Sequence, residues 1–253
     1  MARQKGVIKL QGQMGGVSFY KSQQDGFLAR EKGGVDADRI KNDPNFERTR
    51  ENGAEFGRAG AAGKLLRTAL RALLINIADS RMTSRLTREL VKVIQADATN
   101  TRGQRNVIDG EAELLKGFEF NLDGKLGSTF FAPFSPAIDR VAGNLTVDVP
   151  AYIPGNMIGA PQGATHFKLI TAGVEVDFEA GSYVVNTSAT PEIVLGPQNE
   201  VALNLTNAVT PNSVHPLFVA FGIEFLQFIN GAFYPLKNGA FNALQLVAVD
   251  GGV

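Results

Sequence analysis

The sequence predicts an α+β protein in which an N-terminal β-ribbon and a helical hairpin precede an antiparallel β-sandwich. Three observations predict it. Glycine-bounded strand patterns crowd the first 34 residues, apolar residues then recur with a helical period from Phe46 to Ile94, and short strand patterns follow one another from residue 117 to residue 253. The expected parts are a ribbon or arm over residues 1–34, a helical segment over 35–116 and a sandwich over 117–253.

The ribbon rests on "GVIKL" (Gly6–Leu10), "GVSFYK" (Gly16–Lys21) and "GFLAR" (Gly26–Arg30), each bounded by glycine or polar turn residues. Strand alternation puts Val17 and Phe19 on one face against Ser18 and Tyr20, and Phe27 and Ala29 on one face against Leu28 and Arg30. Two or three strands alone are marginal in water, so the ribbon is expected to dock on something.

The stretch "EKGGVDADRIKNDPNF" is polar and turn-rich, and its end supplies a helix start, with Asp43 as cap and Pro44 at the first helical position. Phe46, Phe56, Leu65, Leu66, Ala69, Leu70, Leu73, Leu74 and Ile77 then trace a period near 3.6 residues. A second helix carries Leu86, Leu90, Val93 and Ile94 behind a cap at Thr83 and Ser84, joined to the first around "ADSRMTS". Gly53, Gly57, Gly60 and Gly63 lie inside the first helix, where each costs about 1 kcal/mol relative to alanine. Two readings of them stay open: a small-residue stripe that admits another backbone, or a break near Gly53 or Gly60 that makes two shorter helices.

Beyond residue 117 the strand candidates are "FEFNL", "STFFAPF", "NLTVDVPAY", "THFKLITAGVEVDF", "SYVVNTS", "EIVLG", "VALNLTN", "PLFVAFGIEFLQFI", "AFYPL" and "ALQLVAVD", separated by Gly, Pro and Asn clusters. Leu145, Val147 and Val149 alternate with Thr146 and Asp148, as a strand with one buried face requires.

The formal net charge of zero conceals an asymmetry. Residues 1–116 carry 21 Lys and Arg against 14 Asp and Glu, whereas residues 117–253 carry 4 against 11. Opposite fields of this kind attract one another within a chain or between copies.

Catalytic signatures are not found. The chain has no cysteine, which removes disulfides, thiolate metal sites and cysteine nucleophiles. "GRAGAAGKLL", from Gly57, misses the phosphate-loop spacing, with Arg58 in the place of its first glycine and Leu65 in the place of the magnesium-binding Ser or Thr. His166 and His215 stand without partners at ligand spacing and are expected as partly exposed strand histidines. Glu175, Asp177 and Glu179 share a strand face; a calcium edge or glycosidase-like pair is conceivable there, but a solvated outer face explains the pattern and is preferred. Arg48, Arg50, Arg58, Arg67, Arg71, Arg81, Arg85, Arg88, Arg102 and Arg105 could grip phosphates, yet interleaved Glu47, Glu51, Glu55, Asp79 and Glu89 favour ion pairs. "NLT" at Asn144 and Asn204 and "NTS" at Asn186 suit polar strand and turn positions.

No apolar run approaches the roughly 18 to 20 residues of a membrane helix. The longest, "PLFVAFGIEFLQFI" from Pro216 to Ile229, is interrupted by Gly222, Glu224 and Gln227. The N-terminus lacks the continuous apolar stretch of a secretory signal, so a cytoplasmic protein is expected by default, with a virion or an extracellular assembly as the other settings.

At "GGVSFYK", "GFLAREKGGV", "RTRENGAEFGRAGAAGKLLRTALRALL" and "VKVIQADATNTRGQRNVIDGEAELLKGFEFN" the chain resembles an uncharacterised family of about this length found in Bacteroidota, most strongly from Gly6 to Asn121. The resemblance implies a bacterial or phage-associated origin and carries over no activity, cofactor or site.

The function expected from these features is non-enzymatic: a structural subunit that assembles with copies of itself into a filament, sheath, tube or particle. Its expected interface is Val17, Phe19, Tyr20, Phe27 and Arg30 on the ribbon with Gly53, Gly57, Gly60, Arg67 and Arg71 on the helix. No catalytic residue, cofactor, metal or small-molecule ligand is expected. The alternatives are nucleic-acid binding by the arginine-rich half and a sandwich that binds a carbohydrate or a protein. The absence of tryptophan and the presence of only four tyrosines weaken a sugar site.

Overall fold

Glycine and a glutamine side chain shape the N-terminal strands. A computed structural model describes residues 2–22, 25–31, 33–77, 79–200 and 202–252, the side chains of 237 and 238 excepted. The chain divides into two units, Met1–Arg50 and Glu51–Val253. In the first, β1 (Ala2–Arg3), β2 (Gly12–Met14), β3 (Val17–Ser22) and β4 (Gly26–Glu31) form an antiparallel sheet in the order β1-β4-β3-β2. Gly15, at φ 56°, makes the tight β2–β3 turn.

The strands expected at "GVSFYK" and "GFLAR" form and pair with each other, Phe19 opposite Ala29 and Tyr20 opposite Leu28. The strand expected at Gly6–Leu10 does not form. Ala2 and Arg3 already occupy the outer edge of β4, and the Gln4 side chain bonds both the N–H and the C=O of Leu10, closing residues 4–10 into a loop. The polar stretch before Asp43 holds a further helix, α1 (Ala37–Asn42), capped by Asp36 accepting from the Asp38 N–H. Asp43 caps as expected, accepting from the Asn45 N–H ahead of a 3₁₀ turn at Pro44–Phe46.

α2 (Glu47–Ala69), which enters the second unit, runs unbroken through all four glycines, so the two-helix reading is set aside. α3 (Arg71–Leu74) and α4 (Met82–Gln95) follow. An alanine Cβ at Gly63 would lie 3.1 Å from Leu90 Cδ1, so this glycine lets α4 approach α2. The cap expected at Thr83 and Ser84 is not one: α4 starts at Met82, and Asp79 Oδ1 accepts from the Arg81 N–H at 2.7 Å instead. Phe56, expected on the buried stripe, is 61% exposed.

The described residues of this unit continue with a 3₁₀ turn at Ala112–Leu115, α5 (Leu126–Thr129), β5 (Ser135–Asp139), β6 (Asn144–Val149), α6 (Pro154–Met157), β7 (His166–Asp177), β8 (Ser182–Ala189), β9 (Ile193–Val194), β10 (Leu203–Ala208), β11 (Leu217–Ile229), β12 (Ala232–Pro235), a 3₁₀ turn at Leu236–Gly239 and β13 (Ala243–Asp250). Among the described residues these strands form two antiparallel sheets. One has the order β10-β6-β5; the other runs β12-β11-β7-β8, with β13 also on β11 and β9 also on β7. "FEFNL" is not a strand; it bridges β13 at Glu119 and Gln245, with the Phe120 N–H donating to the Leu244 carbonyl and the Leu246 N–H to the Phe118 carbonyl. "STFFAPF" opens in the helical turn α5 because Thr129 Oγ1 and the Phe130 N–H bond back to Lys125 and Leu126.

Three layers stack in this unit. Leu66, Leu70, Leu86, Leu90 and Ile94 from the helices pack on Ile170, Val174, Phe218 and Leu244 of the large sheet. Its other face, with Phe167, Leu169, Phe221 and Phe225, packs on Leu145, Val147 and Leu205 of the small sheet. Each such fully buried side chain contributes about 2 kcal/mol through removal from water. β7 and β11 are thus covered on both sides, which gives their near-continuous apolar sequences. It also overturns the solvated face expected at Glu175: this side chain is 6% exposed and lies between the sheets.

Candidate functional site

The titratable groups with the strongest surroundings serve the fold. Asp97 accepts from the backbone N–H groups of Thr99, Asn100 and Asn106 and from the Asn100 side chain. Burial pushes its carboxyl up, but these donors outweigh burial and hold the pKa at about 2. Glu175 is likewise pushed up by burial and brought below its ordinary value by Ser213 and Thr210, with Ser213 Oγ 2.6 Å away. Burial alone dominates at Glu119 and raises it. His166 sits in β7 against the Phe228 and Phe233 rings, and His215 Nε2 is 3.8 Å from Asp177. Glu179 is exposed beyond the end of β7, and no group of three or more His, Asp and Glu among the described residues could hold a metal ion. No helix among the described residues is long and apolar enough to cross a membrane.

Many of the arginines are committed within the chain. Arg58 donates to the Gly103 and Arg105 carbonyls, Arg85 pairs with Asp79, Arg102 with Glu51, and Arg50 binds the Ile40 and Asp43 carbonyls.

The surface residues tell more. On the N-terminal sheet, register puts Val17, Phe19, Lys21, Phe27 and Ala29 on one face and Ser18, Tyr20, Leu28 and Arg30 on the other. Val17, Phe19, Tyr20 and Phe27 are half-buried and Arg30 is exposed, its guanidinium 5.4 Å from the Tyr20 ring centre. Leu28 is the buried apolar side chain among the described residues of this sheet. At the loop tip Val7 and Ile8 stand 102% and 81% exposed.

The helical residues of the expected interface lie on α2 and α3. A Cβ added at Gly53, Gly57 or Gly60 would meet nothing within 4 Å, so these three face open space. Arg67 bonds back to the Gly63 carbonyl and Arg71 is exposed. Beside Phe56 a groove of about 760 Å³ runs along Thr83, Thr87 and Val91 of α4.

A further surface was missed in the sequence. β8 is an outer strand of the large sheet, paired among the described residues through β7 alone. Ser182–Thr187 are all exposed, among them Tyr183, Val184 and Val185, and "SYVVNTSA" contains neither a charge nor a proline. Natural sheets protect outer strands with such residues. Their absence was the available signal.

No family model, no curated protein and no solved structure matches this chain.

Proposed function

We propose that this chain is a non-enzymatic structural subunit that assembles with copies of itself into a filament, sheath, tube or particle, through its N-terminal sheet and the opposite charges of its sequence halves. One observation carries the reading: a four-stranded sheet in which Val17, Phe19 and Phe27 are left half-buried, with an exposed Val7-Ile8 tip. A sheet this small gains little stability alone, and covering Val17, Phe19 and Phe27 with a neighbour recovers about 25 cal/mol for each Å² removed from water. Excess positive charge in residues 1–116 and excess negative charge in 117–253 favour head-to-tail contact, which propagates where a self-matching contact closes.

Binding of nucleic acid by the helical half is the weaker reading, because Arg50, Arg58, Arg85 and Arg102 already have partners within the chain.

Size-exclusion chromatography and negative-stain microscopy of the purified chain test the proposal, together with a variant lacking residues 1–34. The full chain should form assemblies that weaken with salt, and the truncated chain should keep its helical and β circular dichroism while eluting as a monomer. A full chain that stays monomeric over micromolar concentrations and at low salt refutes the role.

A further inference from the structure

Two parts of this chain lack the partner their chemistry requires. Gly6–Leu10, "GVIKL", has a strand-forming composition, yet it is held as a loop by bonds to Gln4, with Val7 and Ile8 in solvent. β8 has the converse deficiency, a formed strand whose outward N–H and C=O groups have no backbone partner among the described residues. An unpaired outer strand accepts an extended segment through main-chain hydrogen bonds, and neighbouring hollows then select side chains.

The surroundings of β8 fit that segment. Six exposed residues, Ser182–Thr187, offer ample length for a five-residue strand. At the β7–β8 turn a hollow of about 420 Å³, lined by Leu65, Ile108 and Phe178 and also by Arg58 and Lys64, offers apolar surface to aliphatic side chains. Adjoining it, a second hollow of about 460 Å³ gathers Asp109, Glu111, Glu113, Asp177 and Glu179. The loop brings the complementary charges, Lys5 and Lys9, on either side of Val7 and Ile8.

We infer that Gly6–Leu10 of one copy adds as a strand to the β8 edge of a second copy, with the loop lysines facing the acidic hollow near the β7–β8 turn. The inference rests on the self-assembly reading and names its connector. A second copy is the occupant because donor and acceptor belong to one sequence, and Lys5 and Lys9 of the donor complement the carboxylates of the hollow near the β7–β8 turn. The contact is heterologous, so a joined pair keeps one free edge on the copy that gave its loop and one free loop on the copy that gave its edge, for further copies.

The absence of cysteine allows a direct test. Full-length Ile8→Cys and Val184→Cys proteins are mixed and oxidised, with Ile75→Cys, at a site 77% exposed on the helical side, as the control partner. The mixed disulfide dimer of the Ile8→Cys and Val184→Cys proteins should exceed the product of Ile8→Cys with Ile75→Cys by at least about tenfold. In parallel, Val7→Asp with Ile8→Asp, and separately Val184→Lys, should raise the concentration needed for assembly by at least about tenfold, while circular dichroism stays as in the parent. All three positions are exposed, so the fold is not at risk. A parent chain that assembles while the Asp pair and the Lys variant assemble equally well, or while the mixed crosslink stays at the control level, overturns this connector and leaves the self-assembly reading standing. A parent chain that does not assemble removes both.

Discussion

Replacing Gly53, Gly57 and Gly60 together by alanine tests the helix and its open stripe in one variant. α2 is helical through all three, and a Cβ at any of them would meet nothing within 4 Å. Alanine therefore adds no clash and restricts the unfolded chain, with a gain of about 0.8 to 1 kcal/mol at each site and about 2 to 3 kcal/mol in total. Gly63→Ala is the internal control: its Cβ would sit 3.1 Å from Leu90 Cδ1, and the push on α4 offsets the propensity gain. In equilibrium urea denaturation followed by circular dichroism, the triple variant should shift the midpoint up by about 1 M at an unchanged slope. Gly63→Ala should not shift it up. If the stripe contacts a neighbouring copy, the same three methyl groups intrude there, and assembly weakens as the subunit grows more stable. A triple variant no more stable than the parent would refute the claim of open space, and full assembly at higher stability would remove the stripe from the interface.

Asp97→Asn should lower stability by about 2 kcal/mol at neutral pH, since the folded carboxyl titrates at about 2 against an ordinary value of 3.8. The sign follows from the lowered pKa: this stabilisation is present above about pH 4 and is lost as pH falls towards 2, so urea midpoints of the parent should fall through that window more steeply than those of the variant. Leu90→Ala, at a side chain with no exposure packed between α2 and the large sheet, should cost about 2 to 5 kcal/mol in the same measurement. A loss below about 1 kcal/mol would mean that the helices do not close over the sheet.

Residues that act through local chemistry were legible in the sequence. Asp43 and Pro44 gave a helix start because a cap and a fixed φ operate within three residues. The alternation of Leu145, Val147 and Val149 located a strand because one face is buried and one is not. What failed depends on distant partners. "GVIKL" has the composition of a strand, but pairing needs an open edge, and β1 had taken it. Glu175 reads as a solvent-facing carboxylate until Ser213 and Thr210, more than thirty residues onward, arrive to satisfy it between two sheets. The expected interface residues of the ribbon fall on both faces of one sheet, and those of the helix on an open stripe. The β8 edge was overlooked because exposure of an outer strand is a property of sheet order, which alternation within "SYVVNTS" does not encode.

The course of β11 has a bearing on how this polypeptide is made. Its 13 residues pair with β7 on one side and, on the other, with β12 and then β13, so the large sheet is incomplete until Ala243–Asp250 has emerged. The helices that roof this sheet are synthesised more than a hundred residues earlier and must wait, with Leu66, Leu86 and Leu90 uncovered, for the surface they shelter. During that interval apolar surface of the nascent chain is open to other contacts, and a ribosome moving at about 5 to 20 residues per second holds it so for about 8 to 30 seconds. Chaperone occupancy on the newborn helical region would be the natural counterpart of a sheet whose centre is finished last.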